Sequence, residues 1–273
     1  MGITLLDGAV GTTLWGMARE RGIKEVPVWQ YNMTHPDMVQ AQHKKMLEAG
    51  AQMILTNTFG VNRITAGKTP YQVADAVKKG VELALDVRNR MDSKAVVALA
   101  CGPLPELLEP YGDLEEEQAA EYFDEMLSAG VQAGAEAIML QTFIDLEMMK
   151  IAAKQAKKHA LPLYCTLSFE KVGKTMMGQS VEDVCDALAP LDIQGIGMNC
   201  SLGPDLALPV IRRFAECTQI PLVFKPNGGM PGQTVTPEAF AQTVSRVLDI
   251  VSYVGGCCNC DERYIAALKK YLI

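Results

Sequence analysis

The sequence predicts an α/β protein, a (β/α)8 TIM barrel built as a single domain over residues 1–273. Short apolar runs bounded by turn residues recur eight times, as buried parallel strands do. Amphipathic helical stretches stand between them, so strand and helix alternate along the chain. The length of 273 residues also suits one such barrel.

The runs are 3–9 (ITLLDGA), 52–58 (QMILTNT), 96–102 (VVALACG), 137–143 (AIMLQTF), 162–168 (PLYCTLS), 195–201 (GIGMNCS), 221–227 (PLVFKPN) and 251–257 (VSYVGGC). The first helical stretch, 35–50, has Pro36 near its start and Gly50 at its end. The stretch 73–91 repeats apolar residues at steps of three and four. Acids fill the first turn of 113–134, where they complement the helix dipole. Stretches 145–160, 181–190, 204–217, 237–250 and 261–273 complete the series. The spacing is uneven, so this is a rhythm of elements and not an internal repeat. No low-complexity linker interrupts it. The competing architecture is an open doubly wound sheet. The glycines of DGAVGTT after the first run hint at that fold but lack the GxGxxG spacing.

Composition narrows the function. The chain is 49% hydrophobic and 21% charged, with a net charge of −7. No Lys/Arg-rich run suggests nucleic acid as a partner. No apolar run of about 18 residues suggests a membrane helix. The N-terminus lacks the basic start and apolar length of a secretory leader, so a cytoplasmic location is expected. In that compartment thiols stay reduced, and clustered cysteines bind metals or react more often than they form disulfides. That bears on the tail VGGCCNC (254–260), which holds three of the eight cysteines.

Barrel active sites lie at the C-terminal ends of the strands. Those ends carry Asp7, then Thr56, Asn57, Thr58 and Phe59, then Cys101, Gln141 and Thr142. The later strands end in Asn199, Cys200 and Ser201, in Lys225 and Asn227, and in Cys257 and Cys258. Cys200, Cys257 and Cys258 thus face one rim although far apart in sequence. Three thiolates suit zinc, and three protein ligands with an open fourth position mark a catalytic metal site. Gly255 and Gly256 are expected to let the backbone turn so that successive cysteines reach one ion. Packing is the competing role, assigned to Cys101, Cys165, Cys185 and Cys217. Cys260 forms a C-x-x-C with Cys257, without the thioredoxin-like context of a redox pair.

Several motifs together resemble one family: LLDGAVGT (5–12), LTNTFGVN (55–62), QTFIDLEMMKIA (141–152), GMNCSLGP (197–204), KPNGGMP (225–231) and VGGCC (254–258). They resemble the zinc-dependent homocysteine S-methyltransferases, most of all the homocysteine-binding module of cobalamin-dependent methionine synthases. The resemblance implies a (β/α)8 barrel and Zn2+ held by Cys200, Cys257 and Cys258, which serve catalysis. It implies a substrate pocket at Asp7, Thr56, Asn57, Thr58, Phe59, Gln141, Asn199, Ser201 and Asn227, with Asp7 near the homocysteine amino group. Two departures stand out. Gln141 replaces a glutamate that in the family binds the ammonium group, and Asn259-Cys260-Asp261 replaces the residues that usually follow the paired cysteines.

The expected activity is methyl transfer to homocysteine, giving methionine. No cobalamin module follows the eighth helical stretch, so the expected donor is a free small molecule or a separate corrinoid protein, and the resemblance favours methylcobalamin on such a protein. S-methylmethionine or a betaine-like donor is the alternative. A different small thiol as acceptor, or zinc and thiol binding without catalysis, would also fit the departures.

Overall fold

The computed structural model describes residues 2–230 and 232–272. Eight parallel strands form the central sheet: β1 (Thr4–Leu5), β2 (Met53–Leu55), β3 (Val96–Cys101), β4 (Ala137–Phe143), β5 (Leu163–Leu167), β6 (Gly195–Asn199), β7 (Leu222–Lys225) and, after a hairpin, β10 (Tyr253–Val254). The hairpin, β8 (Gly229–Met230) with β9 (Gln233–Thr234), sits in the connection after β7. The strand order is β1-β10-β7-β6-β5-β4-β3-β2. A parallel bridge between Leu6 and Met53 joins the two ends. That closure makes the sheet a barrel and excludes the open doubly wound alternative.

Alternation along the strands builds two apolar layers. Leu6, Met53, Leu55, Ala98, Ala100, Ala137, Met139, Tyr164 and Val223 form the inner cluster. Their neighbours, such as Leu5, Ile54, Val97, Leu99, Ile138, Leu140 and Phe224, join the outer cluster beneath the helices. The narrow interior requires small residues. A Cβ on Gly197 would lie 2.0 Å from the Val223 carbonyl oxygen. A Cβ on Gly195 would lie 2.7 Å from a Tyr164 ring carbon, and Tyr164 packs edge-on against Tyr253 with ring centroids 4.9 Å apart.

All eight expected helical stretches contain a helix, among them Pro36–Glu48, Val73–Arg90, Glu116–Gln132 and Pro204–Cys217. The helix Gly11–Glu20 was not legible from periodicity and lies directly after β1. The strands are shorter than their apolar runs, because the final residues of several runs leave the ladder to build the barrel mouth. After β2, the Thr56 and Thr58 hydroxyls bond each other at 2.7 Å. The Ala100 N–H donates to Thr56 Oγ1, and Thr58 Oγ1 donates to the Ala100 carbonyl. These hydroxyls replace ladder bonds at the strand ends. Among the described residues, no helix is long and apolar enough to cross a membrane.

Candidate metal centre at the barrel mouth

The connections after β6 and β10 bring three cysteines together. The sulfurs of Cys200, Cys257 and Cys258 lie within 4.8 Å of one another, and Cys200 Sγ and Cys258 Sγ are 3.7 Å apart. All three are half-buried. Cys200 and Ser201 take left-handed conformations, with φ of +65° and +59°. That bend directs Cys200 back over the mouth, while its N–H donates to the Lys225 carbonyl.

The paired glycines act differently from the expectation. Neither Gly255 nor Gly256 has a positive φ; the left-handed residue of this loop is Asn259, at +66°. The glycines instead permit close approach. A Cβ on Gly255 would lie 2.6 Å from the Asp7 carbonyl oxygen, and one on Gly256 would lie 2.3 Å from Cys260 Cβ. Gly8 meets the same turn, where a Cβ would lie 2.1 Å from the Cys260 carbonyl oxygen.

A cavity of ≈ 220 Å³ opens onto the cluster. Thr56, Asn57, Phe59 and Gln141 line it together with the three cysteines. Of the other sequence-predicted pocket residues, none belongs to this lining. Thr58 is consumed by the strand-end bonds described above. Ser201 faces a neighbouring depression beside Phe169 and Glu170. Asn227 is buried, and its N–H donates to the Leu202 carbonyl. Asn199 is fully buried, and its side-chain amide is occupied by protein partners.

Asp7 is fully buried behind the cavity wall. Its carboxylate accepts from Lys225 Nζ and from the Leu55 N–H, each at 2.7 Å. Burial raises its pKa above the ordinary carboxylate value, while Lys225 opposes the rise. Lys225 itself is only 2% exposed and lines the cavity. Sequence reasoning gave it no role of its own. The available signal was a lone lysine inside the apolar run PLVFKPN, since such residues are almost never buried unpaired.

The thiols share charge unequally. Hydrogen bonds from Cys200 and Cys258, assisted by Lys225 and Asn199, hold Cys257 well below the usual thiol value. The bonds to Cys257 and Cys258, together with burial, push Cys200 up. One thiolate stabilised by two neighbouring thiols is what like charges at this separation allow without a cation. Cys260 stands apart: it is fully buried and its Sγ lies 3.8 Å from the Pro226 carbonyl oxygen. Cys101, Cys165 and Cys185 are buried as expected for packing, but Cys217 is exposed, with its Sγ 3.5 Å from a Glu182 carboxylate oxygen. Cys217 is the last residue of its helix, where the amphipathic pattern no longer specifies burial.

The fold and this cluster define a barrel protein with a thiol-lined site at its C-terminal mouth. The chain belongs to the homocysteine S-methyltransferase family, whose profile matches residues 4–272. It is 28% identical over 292 residues to a methionine synthase of Mycobacterium leprae (strain TN), covering 95% of this chain and 23% of that protein. The methionine synthase of Mycobacterium tuberculosis (strain ATCC 25618 / H37Rv) gives the same identity, with 24% of its length covered. The chain therefore spans about a quarter of these curated relatives. Among solved structures, the metallated form of the homocysteine methyltransferase MmuM from Escherichia coli superposes with a TM-score of 0.85 at 21% identity, covering 99% of this chain and 96% of that one. Its apo form gives a TM-score of 0.80. At that identity the likeness shows the fold.

Proposed function

We propose that this protein is a zinc-dependent methyltransferase that moves a methyl group to the thiol of homocysteine and yields methionine. The observation that carries the reading is the convergence of three cysteine sulfurs at one cavity wall. The donor set fits zinc. Two sulfurs on a tetrahedral zinc with bonds of about 2.3 Å stand roughly 3.8 Å apart, close to the 3.7 Å between Cys200 Sγ and Cys258 Sγ. When bound, zinc supplies a Lewis-acidic centre that holds an acceptor thiol as its reactive thiolate.

The chain's own residues bind and orient. Cys200, Cys257 and Cys258 would hold the ion and leave one tetrahedral position for the acceptor. Gln141 lines the cavity with an uncharged amide suited to the polar head of an amino acid, whereas the Asn57 NH2 group donates to the Val28 carbonyl and to Asn32 Oδ1. Val28, Trp15 and Phe59 supply apolar wall and limit water around the nucleophile. The acceptor sulfur then attacks the methyl carbon. A sulfur–carbon bond forms, and the electron pair of the breaking bond leaves with the donor.

Resemblance to cobalamin-dependent methionine synthases supports methylcobalamin, carried by a corrinoid partner, as the donor. A cavity of ≈ 220 Å³ is smaller than ordinary cofactor pockets. A corrinoid would therefore present its methyl group at the opening. A second reading, with another small thiol as acceptor, is favoured by the uncharged Gln141 in the lining.

The test is zinc X-ray absorption with and without homocysteine, followed by methyl-transfer assays. The expected spectrum changes from three sulfurs plus one lighter atom to four sulfurs when homocysteine is added. Four sulfurs beforehand would mean that a protein thiol closes the site. Activity with S-methylmethionine and none with methylcobalamin would reject the corrinoid donor. Metal binding without transfer from any donor would reject catalysis.

A further inference from the structure

The side chain of Asn199 makes four hydrogen bonds, the full capacity of an amide. Its Oδ1 accepts from the Thr142 N–H and from Thr166 Oγ1, each at 2.7 Å. Its Nδ2 donates to Thr142 Oγ1 at 2.7 Å and to Cys257 Sγ at 3.6 Å. The orientation of the amide is not ambiguous. A backbone N–H can only donate, so the atom facing Thr142 N must be the oxygen, and the NH2 group then faces Cys257. No donor or acceptor remains for a substrate. The Asn199 side chain, expected from the sequence to meet homocysteine, therefore has its hydrogen bonds committed within the protein.

Thr142, held by two of these bonds, has a φ of +64°. For a β-branched residue the left-handed region is strained, and such a conformation persists only where its surroundings impose it. Thr142 and Gln141 both line the cavity, as does Cys257. One buried amide therefore joins the cavity wall at the irregular C-terminal end of β4 to a sulfur of the cluster after β10, from its place at the end of β6.

We propose that Asn199 is a positioning residue that fixes the acceptor-side wall at Thr142 and tunes Cys257 as a metal ligand through its N–H···S bond. The inference rests on the metal-centre reading above. The N–H···S bond withdraws electron density from the thiolate sulfur, so it weakens sulfur donation while fixing the direction of the side chain. The two bonds to Thr142 supply the restraint that keeps that residue left-handed.

The test uses the whole chain loaded with Co2+ in place of zinc. Asn199→Asp keeps the acceptor for Thr142 N–H and removes the donor to Cys257. The expected result is a sulfur-to-cobalt charge-transfer band at lower energy and a zinc affinity reduced by about 10- to 100-fold in chelator competition, with an unchanged circular dichroism spectrum. A band and an affinity equal to those of the parent overturn the proposal. If the parent shows no sulfur-to-cobalt band, the underlying metal reading fails instead, and this proposal with it. The second arm tests the wall. Glycine adopts the left-handed region without restraint, so Thr142→Gly should recover much of the thermal stability lost in Asn199→Ala. Equal effects of Thr142→Gly in the parent and in Asn199→Ala, with no coupling between the sites, overturn the restraint on Thr142.

Discussion

The mouth of the barrel and the packed layers beneath it use cysteine in opposite ways. In the layers, Cys101 is isolated, and burial pushes its thiol up to about 12. Such a thiol stays neutral and packs as a small apolar group. At the mouth, Cys257 is held well below the usual thiol value because Cys200 and Cys258 hydrogen-bond to it. Cys260 is only three residues from Cys257, yet it belongs with the layers: it is fully buried, and burial raises its thiol well above the usual value. Proximity in sequence thus says little about the role of a cysteine. What matters is whether its sulfur meets other sulfurs at an open cavity.

The largest expected effect divides these two groups. Changing Cys200, Cys257 or Cys258 to Ser should abolish stoichiometric zinc binding and lower methyl transfer by about 10³-fold or more. Cys260→Ala should keep full zinc content and lose about 1–2 kcal/mol in denaturant melts. Metal analysis of both variants checks this, and zinc loss in Cys260→Ala would move Cys260 into the mouth group.

The buried ion pair ranks next. Lys225→Met should destabilise the fold by about 3–5 kcal/mol, because it strands the Asp7 carboxylate away from water. Adding Asp7→Asn should restore a large part of that loss in the same denaturant assay. Additive losses in the double variant would show that the pair does not couple.

His43 supplies a pH effect away from the mouth. It is fully buried, its two ring nitrogens have no partner among the described residues, and burial alone lowers its pKa from 6.5 to about 4. The unfolded chain therefore binds the proton more readily than the folded one. Stability should be complete above pH 6.5 and fall as the pH drops toward 4, by roughly 3 kcal/mol for this single group. His43→Leu should flatten that part of the stability profile, and an unchanged slope would assign the acid sensitivity elsewhere.

The smallest expected effect concerns the acceptor. Gln141→Glu adds a carboxylate to the cavity lining, where a charge-assisted bond to an ammonium group is roughly twice as strong as a neutral one. The KM for homocysteine should fall by about tenfold or less. An unchanged KM would mean that the amino group is not recognised from this position.

Much of this molecule is legible in its sequence. Apolar runs and amphipathic stretches report whether a residue belongs to the barrel or to the surrounding helices, since burial on the sheet repeats with the local period of the chain. The same rhythm brings the ends of β6 and β10 to one mouth, and so Cys200 to Cys257 and Cys258. The helix Gly11–Glu20 has a weaker pattern, and its first residues read as a glycine-rich loop.

Tertiary structure decided the finer assignments, because each depends on contacts between residues remote in sequence. Lys225 pairs with Asp7 across 218 positions, so neither local segment reveals that the Asp7 carboxylate, expected to bind substrate, already has a partner. Asn199 is 57 positions from Thr142 and 58 from Cys257, and only their meeting fills its hydrogen-bonding capacity. Gly255 reads alone as a flexible turn, whereas its missing Cβ makes room for the Asp7 carbonyl. Periodicity and the direction of the strands, both readable along the chain, set the barrel and the group of thiols at its mouth. Which neighbouring polar groups remain free to meet a substrate was decided by the closed barrel, where buried donors and acceptors must find partners wherever the chain brings them.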